Sequence, residues 1–312
     1  MDYNSGKIAF IFPGQGSQFL GMGKDLAEAH PIAKETFLAA DEQLGFPLSS
    51  LAWSGPVEQL DDTINTQPAL LLHSIAVLHV LKENFPAIKP SFVAGHSMGQ
   101  LSALFAAEAI NQSNVIDLVL TRGKLMKQAG LSNPGGMAAI LGLDIPTLEK
   151  ICSQASNSDE IVQVANDNCP GQVVISGATP ALDRAMQLAK EAKARRVVAL
   201  AVSIAAHSPL MHPAQEEFNQ AVNTARLIDP AIPVIGNVSA TPLTTAAQLR
   251  ADLQAQLTSR VRWTESIQYM IEAGVTTFLE IGSGSVLSGL IKRISRDVRC
   301  LNLGSPQDFE NL

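Results

Sequence analysis

One pentapeptide constrains this chain more than any other segment. Gly95-His96-Ser97-Met98-Gly99 follows the apolar run Phe92-Val93-Ala94 and precedes the helical pattern Gln100-Leu101-Ser102-Ala103-Leu104. Gly-x-Ser-x-Gly between a strand and a helix is the context that a nucleophile elbow requires. Such a turn leaves no room for side chains at Gly95 and Gly99, and it holds the Ser97 hydroxyl where a carbonyl can reach it. The helix then directs its unpaired N–H groups and partial positive charge at the same spot. The Met98 main-chain N–H is therefore a natural oxyanion donor.

The rest of the chain supplies a sheet for this elbow. Short apolar runs at Ile8–Phe12, Phe92–Ala94, Pro233–Ile235, Thr277–Ile281 and Arg299–Leu301 alternate with long periodic stretches. That alternation predicts an α/β fold with a largely parallel sheet. The stretch Pro68–Asn84 is expected as a crossover helix with Pro68 in its first turn. The middle of the chain differs. Met137–Leu141, Pro146–Ala155, Ile161–Ala165, Gln172–Ser176, Pro180–Ala192 and Arg196–Val202 give the order β-α-β-β-α-β, a ferredoxin-like unit. The expected division is a large α/β domain, residues 1–130 and 204–312, interrupted by an inserted subdomain, residues 131–203. Ser132-Asn133-Pro134-Gly135-Gly136 is the expected linker into the insert.

Composition removes several functions. A net charge of −7 argues against a surface built to hold nucleic acid. Cys152, Cys169 and Cys300 are odd in number and contain no Cys-x-x-Cys pair, so neither a disulfide framework nor a zinc site is expected. The apolar run within Met1–Phe12 is too short for a signal peptide, and Pro68–Leu81, broken by His73 and His79, falls short of a membrane span. A cytoplasmic protein without membrane attachment is the expectation.

A nucleophilic serine needs a base. His73 and His79 fall in an apolar helix, His30 in a surface turn, and the elbow should point His96 away from the hydroxyl. His207 and His212 remain. Ser208-Pro209 starts a helix, which leaves His207 on the loop out of the insert and His212 on the exposed side of the new helix. Position favours His207 without eliminating His212. Arg122 lies in an apolar stripe with Val115, Leu118, Val119, Leu125 and Met126. An inward guanidinium is costly unless paired. Its partner is either an internal carboxylate, with snorkelling as a variant of that structural reading, or a substrate carboxylate. Phe12-Pro13-Gly14-Gln15-Gly16-Ser17-Gln18-Phe19 and Gly282-Ser283-Gly284-Ser285 both lack the third glycine of a dinucleotide fingerprint. The first suits an oxyanion contributor at a strand end.

Together these segments resemble the malonyl-CoA:acyl carrier protein transacylases of fatty acid synthesis and the related polyketide synthase acyltransferases. The likeness adds Thr66-Gln67-Pro68-Ala69, Arg122-Gly123, Pro134-Gly135-Gly136-Met137, Pro170-Gly171-Gln172-Val173-Val174, His207-Ser208-Pro209-Leu210-Met211 and Val261-Arg262-Trp263, and it covers nearly the whole chain. It implies an α/β-hydrolase-like domain with a ferredoxin-like insert. It further implies Ser97 as nucleophile, His207 as base, Arg122 as the group binding the malonyl carboxylate, Gln15 and Met98 as the oxyanion hole, and Gln256 as the residue whose carbonyl orients the histidine. Malonyl-CoA and an acyl carrier protein bearing phosphopantetheine are the implied substrates, with no metal and no resident cofactor, in a monomer. The carrier should be acidic. Lys193, Arg195 and Arg196, or Lys292, Arg293, Arg296 and Arg299, are the candidate docking charges. Alternatives are a trans-acting polyketide synthase acyltransferase, a serine esterase or thioesterase, and a non-catalytic carrier-binding scaffold. The chain departs from the family pattern at Met98 and Gln100, where Leu and Glu are usual, at Ala206, often Phe or Ser, and at Arg260, usually Pro.

Overall fold

The computed structural model describes residues 6–312, so the first five residues of the amino-terminal segment Met1–Phe12 lie outside the described residues. The strands in chain order are β1 (Lys7–Phe12), β2 (Phe92–Gly95), β3 (Gly135–Leu141), β4 (Val162–Cys169), β5 (Gln172–Ala178), β6 (Arg196–Ala199), β7 (Val234–Ile235), β8 (Pro242–Leu243), β9 (Val275–Ile281) and β10 (Arg299–Leu303). They form two sheets. One has the order β10-β9-β1-β2-β7-β8 and is parallel except for β8, which turns back on β7. At two residues, β8 is too short to show a periodicity in the sequence. The other sheet, β4-β5-β3-β6, is antiparallel and carries the helices Ile145–Ala155 and Thr179–Glu191.

Burial explains why the large sheet reads as apolar runs. A parallel sheet is covered on both faces, and here a core built around the helix Thr63–Asn84 covers one face while a cluster around Trp263 covers the other. Every residue from Thr66 to Leu78 in that helix is buried. It spans 22 residues and is the one helix, among the described residues, long and apolar enough to cross a membrane. It is apolar all round because it is packed all round. Pro68 is not in its first turn. The Asp62 side chain accepts from the Ile64 N–H and starts the helix a turn earlier, so Pro68 lies inside it. There it removes only the bond to the Ile64 carbonyl, a loss that close packing tolerates. The linker into the second sheet is also shorter than expected, because the helix Gln112–Ser132 runs to Ser132 and β3 begins at Gly135.

The small sheet is stitched along β4 to the loop before Trp263. Asp167 N–H donates to the Val261 carbonyl at 2.9 Å, and Val261 N–H donates to the Ala165 carbonyl at 2.8 Å. Register pairs Phe12 with Gly95, so β1 and β2 end side by side. The loops that follow them open onto the carboxyl edge of the sheet, where α/β proteins hold their ligands.

Candidate active site

The elbow forms because two glycines permit it. A Cβ on Gly95 would stand 1.9 Å from the Gly99 carbonyl oxygen, and one on Gly99 would stand 2.3 Å from that of Phe12. Ser97 adopts φ 53°, the left-handed region that costs a side-chain-bearing residue roughly 1–2 kcal/mol. Asn237, just after β7, holds the strained turn. Its Oδ1 accepts from Ser97 N–H and its Nδ2 donates to the Gly95 carbonyl, both at 2.7 Å.

Of the six histidines, His207 meets the serine. Its Nε2 lies 2.8 Å from Ser97 Oγ, and its Nδ1 faces the carbonyls of Gln256 at 2.9 Å and Ser259 at 3.2 Å. Carbonyls only accept, so Nδ1 carries the proton and Nε2 is left as the acceptor for the Ser97 hydroxyl. Burial, with the Arg122 charge second, lowers the imidazole pKa to about 3 and keeps it neutral. His207 itself has φ 58°. Gln163 on β4 fixes its loop by donating to the carbonyls of His207 at 2.7 Å and Thr258 at 2.9 Å. His212 lies on the exposed side of its helix beside Glu216. His96 bonds Asn168 through Nε2 at 2.8 Å, and His73 reaches the Gly304 carbonyl with its Nε2 at 2.9 Å.

Arg122 is 2 % exposed, so it does not snorkel. Among the described residues no carboxylate forms an ion pair with it. Nη1 donates to Gln67 Oε1 at 2.7 Å, and Nη2 donates to Gln256 Oε1 and to Ser97 Oγ, each at 3.0 Å. Nε is buried without a partner. Burial lowers its pKa to about 9, which leaves it charged at neutral pH. A desolvated cation beside the Ser97 hydroxyl, met only by neutral groups, suits an anionic part of a substrate.

The loop after β1 is tied to this cation. Gln67 Nε2 donates to Thr63 Oγ1 at 2.8 Å, and the Thr63 hydroxyl donates to Gln15 Oε1 at 2.9 Å. The Ser283 hydroxyl donates to the Ser17 carbonyl at 2.5 Å, so the Gly282–Ser285 loop buttresses the same turn. A Cβ on Gly14 would stand 2.5 Å from the His96 carbonyl oxygen, which sets the turn directly against the elbow. Met98 caps the helix Gly99–Ala106 with αR geometry and is 1 % exposed. Among the described residues no group accepts from the main-chain N–H of Gln15 or Met98.

Gln256 ends the helix Ala246–Gln256 and meets four other residues around the site. Besides orienting His207 and receiving Arg122, its Nε2 donates to the Ser97 carbonyl at 3.1 Å and to Gln100 Oε1. Gln100 is fully buried and donates to Asp252 Oδ2 at 2.8 Å. Arg260 pairs with Glu149 at 2.9 Å, joining the helix Ile145–Ala155 to the loop before Trp263. One member of each basic cluster borders the β4–β5 hairpin turn. Arg293 donates to Gln172 and to the Pro170 carbonyl, while Gly142 N–H donates to the Gly171 carbonyl and Arg195 N–H to the neighbouring Leu141 carbonyl.

The sequence reading missed Asn237, Gln163 and Asp252 and gave Gln67 no role. Asn237 had a signal, a polar residue one glycine past a short apolar strand. Gln163 and Asp252 had none, because their partners lie at least 44 and at least 13 residues away.

The acyl transferase domain family profile matches residues 9–302. The malonyl CoA-acyl carrier protein transacylase of Bacillus subtilis (strain 168) is 47% identical over 304 residues, covering 97% of this chain and 95% of its own. An acyl carrier protein S-malonyltransferase from Vibrio cholerae superposes with a TM-score of 0.94 at 41% identity, covering 98% and 99% of the two chains. A malonyl-transacylase solved in complex with its type II PKS acyl-carrier protein reaches 0.94 at 40% identity, covering 98% of both. These likenesses run through every segment of the site, and the chain belongs to the acyl transferase domain family.

Proposed function

We propose that this protein transfers a malonyl group from malonyl-CoA to the phosphopantetheine thiol of an acyl carrier protein, through an ester on Ser97. The observation that carries the substrate is Arg122: a buried guanidinium without an acidic partner, 3.0 Å from the nucleophilic oxygen. A serine esterase has no use for it. The curated relative's name and the carrier complex of the structural neighbour support the same reading.

In the proposed mechanism the malonyl carboxylate pairs with Arg122 and the thioester carbonyl meets Ser97. His207 Nε2 takes the hydroxyl proton as Oγ attacks. The Met98 and Gln15 N–H groups carry the developing oxyanion. The tetrahedral adduct collapses, the carbon–sulfur bond breaks, and the imidazolium returns its proton to the departing CoA thiolate. The carrier thiol then attacks the ester and the same steps run in reverse. No metal or resident cofactor enters this scheme. The basic residues around the β4–β5 turn are proposed as the face for an acidic carrier. We also propose a cytoplasmic monomer, with residues 131–203 acting as the inserted subdomain. Transfer to a polyketide carrier is the second reading, favoured by the complex of the structural neighbour.

The test is incubation with labelled malonyl-CoA followed by peptide mapping. Label is expected on Ser97 and is expected to leave when an acyl carrier protein bearing phosphopantetheine is added. An unlabelled folded protein, or label that does not move to the carrier, overturns the proposal.

A further inference from the structure

Asp252 has no part in the mechanism above, yet it is 6 % exposed and saturated with hydrogen bonds. Its Oδ2 accepts from Gln100 Nε2 at 2.8 Å and from Asn237 N–H at 3.0 Å. Its Oδ1 accepts from the N–H groups of Val238 at 3.2 Å and Ser239 at 3.3 Å. It stands four residues before Gln256 on the helix Ala246–Gln256, and therefore on the same face.

These bonds have a direction. A carboxylate only accepts, so Gln100 must turn its NH2 to Asp252 and its Oε1 away. That Oε1 accepts from Gln256 Nε2, which turns Gln256 Oε1 toward Arg122 Nη2. A guanidinium only donates. With an acceptor-only group at one end and a donor-only group at the other, neither intervening amide can flip without opposing like groups.

We propose that Asp252 is a positioning residue for substrate selection, acting through Gln100 and Gln256 as the remote counter-charge of Arg122. Two amides separate the charges, so Asp252 supports the cation without occupying the face that takes a substrate carboxylate. A directly paired acid would compete for that face. Asp252 also bonds the main chain of Asn237, so the same side chain supports the clamp on the Ser97 turn. The arrangement accounts for Gln100, because a glutamate there would set two carboxylates side by side. This inference rests on the proposed malonyl transfer.

The near-isosteric D252N replaces the carboxylate with a group that can donate. With its oxygen kept for the N–H groups of Val238 and Ser239, its NH2 gives up the bond from Asn237 N–H and faces Gln100, so that Gln100 and Gln256 both invert and turn an NH2 toward Arg122. Acylation of Ser97 is measured with malonyl-CoA and with acetyl-CoA, which lacks the carboxylate, with thermal unfolding followed in parallel. D252N should lower the malonyl-to-acetyl ratio of kcat/KM about tenfold or more, through the malonyl value. In the double variant D252N/Q100E, the carboxylate introduced by Q100E again offers Gln256 an acceptor-only partner, and the ratio should return to within about threefold of the parent. Q100M cuts the relay while leaving Asp252 bonded to its loop, and it decides the matter should D252N not fold; it too should lower the ratio. An unchanged ratio in D252N or Q100M, an equal loss with both substrates, or no recovery in D252N/Q100E overturns the proposal. A parent enzyme that malonyl-CoA does not acylate overturns the transfer reading instead.

Discussion

At the scale of single residues, the environment of Arg122 separates two uses of a buried cation. The sequence placed it in an apolar stripe but left its partner open, because nothing along the chain shows which carboxylates come near in space. The structure brings Gln67, Gln256 and Ser97 to it instead. R122A should therefore weaken malonyl-CoA turnover by about 3–5 kcal/mol, roughly two to four orders of magnitude in kcat/KM, with little effect on acetyl-CoA. Competition between the two thioesters measures this, and an unchanged preference rejects the clamp. The pair Ser97 and His207 was legible for a local reason, since an elbow and a helix start are each written in a few adjacent residues. The acid behaviour of His207 was not. Its pKa of about 3 lies below the ordinary value of 6.5 because it is buried beside a cation. The folded chain therefore binds fewer protons than the unfolded chain between those values, and stability falls as pH drops through that window. Over pH 6.5 to 5 this site alone accounts for about 2 kcal/mol. Denaturant unfolding at pH 7 and pH 5 should show a smaller acid loss in H207Q than in the parent.

At the scale of elements, the strand-turn-helix around Ser97 depends on backbones in contact. G99A must push a methyl into the Phe12 carbonyl, so it should displace β1 from the elbow and abolish Ser97 acylation even where circular dichroism shows helix content retained. Strand positions were readable because buried parallel strands are short apolar runs. The boundaries of the helix Thr63–Asn84 were not, since the Asp62 cap outweighs the usual preference of proline for a first turn. β4 was read as an ordinary strand of the insert. Its Gln163 nevertheless fixes the loop that carries His207, outside the small sheet. Q163L should lower kcat about tenfold or more while leaving the malonyl-CoA KM near its parent value, because the side chain touches the base and not the acyl group. A proportional rise in KM speaks against that role.

At the scale of the whole molecule, the chain order reads as an insertion, but the bonding shows a seam. The β4 strand exchanges main-chain bonds with Val261, Thr264 donates to Asp167, and Arg260 reaches Glu149 across the join. The last of these is a partly exposed ion pair, and R260A should cost only about 0–1 kcal/mol. The main-chain bonds matter more. The Asp167 and Val261 amides should exchange hydrogen with deuterium at a common slow rate, the mark of a single opening event. The β4 seam also bears on modularity. A segment whose two ends lie close together invites transplantation between related enzymes, but this one carries one support of the His207 loop with it. A chimera that swaps residues 131–203 without a glutamine at 163, or without a facing loop that matches Thr258 to Val261, would keep both sheets and lose the alignment between them. The transferable unit is residues 131–203 together with the stretch of loop they are sewn to.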